Sequence, residues 1–199
     1  MPIWPDDVLV YLRGTGRDPA ASCPRIAERA LADAAQIFPF LMGRRVEAML
    51  DIGCGLALVD MHLARALRPS CVYLLDGKGD APQYRGYRDA MRPWADVDVG
   101  AAMVWANVDR VVEVVTVEPA PFDVPVDLVI STRSWGHHYP VSVYLDSVAR
   151  SLRPGGVLAV DLRAGTNGAV EIAAAGFEHV ASIDQPPGKC DRVIFQRRG

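Results

Sequence analysis

The chain has 199 residues, half of them apolar and 23% charged, enough for one domain with a modest elaboration at roughly 150 residues per domain. This composition excludes a disordered tail, a collagen-like fibre and a disulfide-stapled miniprotein. The net charge of −3, from 21 Lys and Arg against 24 Asp and Glu, gives no basic field for a nucleic-acid partner.

The first 20 residues contain Pro2, Pro5, Gly14, Gly16 and Pro19 and suggest an irregular arm. A helix is expected from Pro24 to Gly43, with Ile26, Ala30, Leu31, Ala34 and Ile37 on its buried face. Arg25, Glu28, Arg29 and Asp33 fall on the polar face. Residues 1–45 therefore form an arm and capping helix, and 46–199 the main domain. From Val46 short apolar strands alternate with helices: VEAMLDIG, the helical LALVDMHLARAL, then CVYLLD. After a polar excursion over 77–94 come helical DVDVGAAMVWANV and the strands RVVEVVTV and VDLVIS. VSVYLDSVARSL is expected as a helix stopped by Pro154 and Gly155-Gly156, followed by the strand VLAVDL. A short helix over 167–175 leads to FEHVASI and RVIFQR, whose eight-residue link is too short for a helical crossover and demands an antiparallel hairpin. The pattern predicts an α/β fold, a doubly wound Rossmann-like sheet closed by that hairpin.

The four cysteines (Cys23, Cys54, Cys71, Cys190) are far apart, which argues against structural zinc and for reduced thiols. No apolar run approaches the ~18–20 residues of a membrane span. The N-terminus lacks the basic-then-apolar order of a signal peptide. A cytoplasmic protein with no membrane partner is expected; nothing in the pattern sets its oligomeric state.

The sharpest local signal is Asp51-Ile52-Gly53-Cys54-Gly55, between the first strand and a helix, where ligands bind in such folds. Gly53 and Gly55 let a ligand approach the backbone. Asp76, 21 residues on, ends the second strand where an acid can accept from ribose hydroxyls. An adenosine-type cofactor is expected. A dinucleotide fingerprint needs a third glycine, at Leu58, and a carboxylate such as Asp51 about 5 Å from a phosphate costs about 3 kcal/mol at an effective dielectric near 20. S-adenosylmethionine, cationic and without phosphate, suits the acid better.

LDIGCG, VYLLD and SLRPGGVLAV resemble three motif regions of class I S-adenosylmethionine-dependent methyltransferases, over roughly residues 46–199. The resemblance implies seven strands in the order 3-2-1-4-5-7-6 with the last antiparallel. It also implies a cofactor site of Asp51, Gly53, Cys54, Gly55, Asp76, Gly77, Val117, Glu118 and Ser131. After the fourth strand, SWGHHYPVSVYLD is similar to a segment of bacterial sugar O-methyltransferases, with His138 at the shared histidine position and His137 at the variable one. An alcohol must lose its proton as it is methylated, and histidine is the neutral-pH base for that. The resemblance thus implies in-line methyl transfer to a hydroxyl of a saccharide or other polar small molecule. His138 would be the base, with His137 as second candidate. Trp135, Tyr139, Arg88 and Trp94 would contact the acceptor. The 77–94 excursion is either a substrate lid or a solvated loop. Strand four ends in Ser131 rather than an acid, so Asp161 and Asn167 lack a metal-ligand partner and no catalytic metal is expected. Methylation of nitrogen, carbon or a macromolecule, and a non-catalytic cofactor-binding subunit, are the alternatives.

Overall fold

Ala48–Ile52 (β1) is buried at all five positions, Asp51 included, as befits the centre of a sheet covered on both faces. The computed structural model describes residues 1–77, 84–85, 90–91, 94–108, 112–185 and 190–199. The other sheet strands are β2 (Cys71–Leu75), β3 (Glu113–Val117), β4 (Val126–Ser131), β5 (Leu152–Arg163), β6 (Phe177–Gln185) and β7 (Cys190–Arg197). Their order is 3-2-1-4-5-7-6, as the resemblance implied, with β7 antiparallel to both of its neighbours, as the short link between the last two strands demanded for one of them. A separate two-residue ladder pairs Tyr84–Arg85 with Ala90–Met91.

Alternation along the strands divides the core in two. Met49, Leu128, Ile130, Val157 and Ala159 face helices α1 (Asp6–Gly14), α2 (Pro19–Ile37), α3 (Leu58–Leu67) and α4 (Val97–Asn107). Leu50, Ile52, Val129, Leu158 and Val160 face α5 (Leu145–Ser151) and α6 (Gly168–Ala174). No helix among the described residues is long and apolar enough to cross a membrane.

Three local expectations change. The irregular arm contains α1, whose first turn carries Asp6 and Asp7 and whose Val8 and Leu12 are buried. The prolines and glycines there bound a nine-residue helix rather than prevent one. Ile3 exchanges two hydrogen bonds with the Asn107 side chain, at 2.6 and 2.7 Å, fixing the chain start to α4. Next, α2 starts at Pro19, one turn or more before Pro24, because the Asp18 side chain caps Ala20 N–H and Pro19 is already set for the helix. Its buried face also differs: Leu31 is exposed while Asp33 is buried. Finally, Pro154-Gly155-Gly156 does not precede β5 but lies within it. Val126 pairs with Leu152 and Leu128 with Val157, so the extra residues form an irregularity in the ladder.

Candidate active site

The parallel strands bring the chain segments after β1, β2, β4 and β5 to one edge of the sheet. After β1 the chain turns through Gly53 (φ +79°) and Gly55 (φ +53°) into α3. Gly53 and Cys54 N–H both donate to Leu75 O, at 2.6 and 3.3 Å. Gly55 N–H donates to Asp76 Oδ2 at 2.8 Å, and Gly77 N–H to Asp76 Oδ1 at 2.8 Å. Asp76 thus clamps the glycine loop to β2. Each oxygen keeps a lone pair for another donor. Burial, helped by the Asp96 charge, pushes its pKa to about 6 against the two hydrogen bonds.

The loop leaves no room for side chains. A Cβ on Gly53 overlaps the Ser134 hydroxyl, and one on Gly55 would lie 2.9 Å from the Trp94 ring. Gly53→Ala should therefore both strain the left-handed backbone and force the post-β4 loop away. The expected result is a folded but less stable protein with ligand binding at this edge weakened at least tenfold; wild-type Kd values in the variant would remove the loop from the site.

Beneath the loop, Asp51 is 2% exposed, and Asp60 on α3 is completely buried. Burial first, then the charges of Asp60 and Asp76, raises Asp51 well above the usual carboxylate range. Cys54, on the loop itself, is pushed up by burial and by these acids, so its thiol stays neutral.

The segment after β4 turns on Ser131, whose hydroxyl donates to Ile52 O (2.7 Å) and accepts from Trp135 N–H (2.9 Å). Ser131 therefore ties β1 to this loop and is fully buried, away from the cavity wall where the cofactor list placed it. Trp135 also moves out of its expected role. It is 0% exposed and its indole N–H donates to Val141 O at 2.8 Å, so its ring is closed to an acceptor. Tyr139 does line the cavity, its hydroxyl 3.3 Å from Ser134 Oγ. His138 lines the cavity at an exposed position; His137 does not line it and has a buried Nδ1 without a partner. The two rings meet edge to face at 4.7 Å. Desolvation and the Arg163 charge lower the His138 pKa, and desolvation with the His138 charge lowers that of His137.

Arg133 sits in the left-handed region (φ +56°), a conformation its partners must hold in place. Its N–H donates to Asp161 Oδ2 at 3.0 Å, and its guanidinium forms a fork–fork pair with Asp33 of α2. Arg192, fully buried on β7, reaches both Asp161 (2.8 and 3.1 Å) and Asp33 Oδ1 (3.0 Å), as well as Gln36 Oε1 (2.9 Å). Two acids and two guanidinium groups thus bind α2 to the ends of β4, β5 and β7. Burial would raise Asp33, but Arg133 and Arg192 outweigh it and hold its pKa below the ordinary value. Asp161 is occupied by this network.

A cavity of about 610 Å³ lies between the glycine loop, the post-β4 loop and α2. Gly53, Cys54, Gly55 and Asp76 line it from the sheet edge, Ser134, His138 and Tyr139 from the opposite loop. Trp94 completes the wall above Gly55, held by Tyr11 edge-on (6.5 Å) and by the Arg17 guanidinium 5.2 Å from its ring centroid. Of the expected residues, buried Asp51, Gly77, half-buried Val117 and exposed Glu118 stay outside this wall, although Gly77 fixes Asp76. Arg88 lies outside the described residues, as does most of the 77–94 excursion. Sequence reasoning missed Ile26, Arg29 and Ala30 of α2, and Thr132, Arg133 and Ser134, all on the wall. Arg29 is the one that a charged helix face pointing inward could have signalled.

Solved structures with the same architecture complete the comparison. The chain is similar to the precorrin-6y C5,15-methyltransferase of Geobacter metallireducens GS-15, at 21% identity and TM-score 0.53 over 83% of this chain and 87% of that one. It is similar to the 1,6-didemethyltoxoflavin-N1-methyltransferase of Burkholderia thailandensis, with bound 1,6-didemethyltoxoflavin and S-adenosylhomocysteine, at 19% identity and TM-score 0.59 over 96% and 86%. The fold is that of class I methyltransferases. M. jannaschii TYW2 in complex with AdoMet shares the methyltransferase fold at 14% identity and TM-score 0.53, over 83% of this chain and 74% of that one. No protein-family model matches the sequence, and no curated protein matches it. Since the methyltransferase fold here spans C5,15 and N1 enzymes, it leaves the acceptor atom to the residues of the site.

Proposed function

We propose that this chain is an S-adenosylmethionine-dependent O-methyltransferase whose acceptor is a hydroxyl of a saccharide or another polar small molecule. The observation that carries the reading is one cavity wall holding a glycine loop clamped by Asp76, faced across the opening by His138. The fit to the cofactor rests on the cradle that a Cβ would fill at Gly53 and Gly55, and on acids rather than cations at the loop. Asp76 would accept from ribose hydroxyls with its remaining lone pairs, and Asp51 would lie toward the cofactor's ammonium. When bound, S-adenosylmethionine supplies an electrophilic methyl group. The protein's part is to orient an acceptor hydroxyl in the cavity, exclude water and remove the proton. His138 Nδ1 or Nε2 takes that proton. Its lowered pKa keeps it neutral, and so able to accept, at pH 7.

With Trp135 buried, the aromatic groups open to an acceptor or cofactor are Tyr139 and Trp94. Arg29 adds a cationic group to the wall and favours a polar or anionic acceptor, whereas the Arg133 guanidinium is taken up by Asp33.

The test is titration calorimetry followed by methyl-transfer assays on hydroxylated acceptors. Wild type should bind S-adenosylmethionine and S-adenosylhomocysteine but not NAD. Asp76→Ala should weaken cofactor binding by about 1.5–3 kcal/mol, the range for hydrogen bonds to a charged group. Binding should also weaken in wild type as pH falls through about 6 and Asp76 gains a proton. NAD binding with no response to S-adenosylmethionine would sink the reading.

A further inference from the structure

Asp60 is an acid where the fold asks for an apolar residue. It stands in the first turn of α3 between Val59 and Met61, and its side chain is completely buried. No other residue's N–H or hydroxyl donates to either of its carboxyl oxygens, which have only the backbone N–H of Asp60 itself nearby, and Asp51 Oδ1, also buried, has no donor. Yet the Asp51 and Asp60 carboxyls lie within hydrogen-bonding reach of each other. Two carboxylates cannot donate to one another, and leaving both ionised and dry would cost several kcal/mol. A single proton between them resolves both problems, as in other close carboxyl pairs.

We infer that Asp60 is a positioning residue for Asp51: the two buried carboxyls share one proton, and a cationic ligand seated on the glycine loop expels it. The surroundings agree. Asp60 lies in the first turn of α3, where the helix end favours negative charge. Asp51 faces Asp60 from α3, Asp76 from the end of β2 and Arg133 from the post-β4 loop, with Cys54 beside it. Two of its charged neighbours are thus acids and one is a cation. Burial raises both members of the pair, Asp60 to about 6 and Asp51 well above the usual carboxylate range, so the pair favours holding a proton. Nothing else in the described cavity wall needs Asp60. Its role passes through Asp51 to whatever rests on Gly53 and Gly55.

The ligand half of the inference rests on the methyltransferase reading; the proton half does not. Infrared spectroscopy of the ligand-free protein at pH 7 tests the proton directly. Wild type should show the carbonyl stretch of a protonated, buried carboxyl, and D60N, which supplies an amide donor in the same shape, should lose it. Calorimetry with S-adenosylmethionine in buffers of different ionisation enthalpy tests the coupling. Wild type should release about one proton per ligand, with Kd tightening up to about tenfold per pH unit near neutrality, and D60N should release none and show a flat profile over that range. A wild type without the protonated band overturns the inference whatever the variant does. So does a wild type that binds S-adenosylmethionine with no proton release, or a D60N that keeps both signatures. A band lost in D60N, with no S-adenosylmethionine binding by wild type, upholds the shared proton and overturns the proposed function instead.

Discussion

Replacing His138 with alanine lowers methyl-transfer turnover about 10²–10⁴-fold, the span of a general base, and leaves the Kd for S-adenosylmethionine nearly unchanged. The imidazole lines the cavity from the post-β4 loop, while the cradle is built by the glycine loop and Asp76, so its loss removes a proton acceptor and leaves the cradle's own residues in place. His137→Ala should retain most of its activity, because His137 is outside the wall and meets the His138 ring edge to face. The wild-type pH profile supplies a second readout. Desolvation and Arg163 lower the His138 pKa, so the acid limb of turnover should fall below the ordinary histidine value of about 6.5. That limb should disappear in His138→Ala. Activity retained in His138→Ala but lost in His137→Ala would move the base to His137. Full activity in both would leave the reaction to positioning alone.

The second large effect concerns stability. Arg192→Ala should destabilise the protein by about 3–5 kcal/mol in urea unfolding, because it strands Asp161 and Asp33 without their shared cation. Arg192→Lys should recover little of this, since an ammonium cannot reproduce the fork that reaches Asp161 through Nε and Asp33 through an NH2 group. Arg153→Ala is the control. Its partner Asp127 is also held by the N–H groups of Glu47 and Ala48, and the pair is partly solvated, so the expected loss is under about 1 kcal/mol. The network also gives the protein an acid limit. Asp33 is held below its ordinary pKa, so its contribution is complete above the unfolded value near 3.8 and is lost as pH falls through the lower folded value. An Arg192→Ala loss no larger than that of Arg153→Ala would show that the buried network contributes no net stability.

What was legible in the sequence was local or periodic. The strand–glycine–helix unit at 48–58 and the acid at 76 could be read because turn, cradle and clamp all lie on one short stretch of chain. The closing hairpin could be read because a short link forbids a crossover. Asp33 could not be placed, since a lone helix offers no reason to bury a carboxylate when its two cations come from 100 and 159 residues away. Trp135 and Tyr139 stand four residues apart in one polar loop, and nothing in the spelling says which ring turns inward; the Ser131 hydroxyl and the Val141 carbonyl decide it. Asp60 did leave a trace, as the lone acid within LALVDMHLARAL, but its meaning depends on Asp51 lying across from it.

The place of β7 in the sheet bears on how the protein is made. The last strand of the chain is not an edge; it is inserted between β5 and β6, which cannot pair until it arrives. It also carries Arg192, the cation that Asp33 has awaited since early in synthesis. Until β7 pairs, the docking of α2, the β5 edge and the two carboxylates that Arg192 binds stay incomplete. Such long-range closure slows folding and exposes unpaired strand edges in the meantime. Removing β7 from Cys190 onward should therefore unmake α2 docking, because Asp33 and Gln36 lose Arg192.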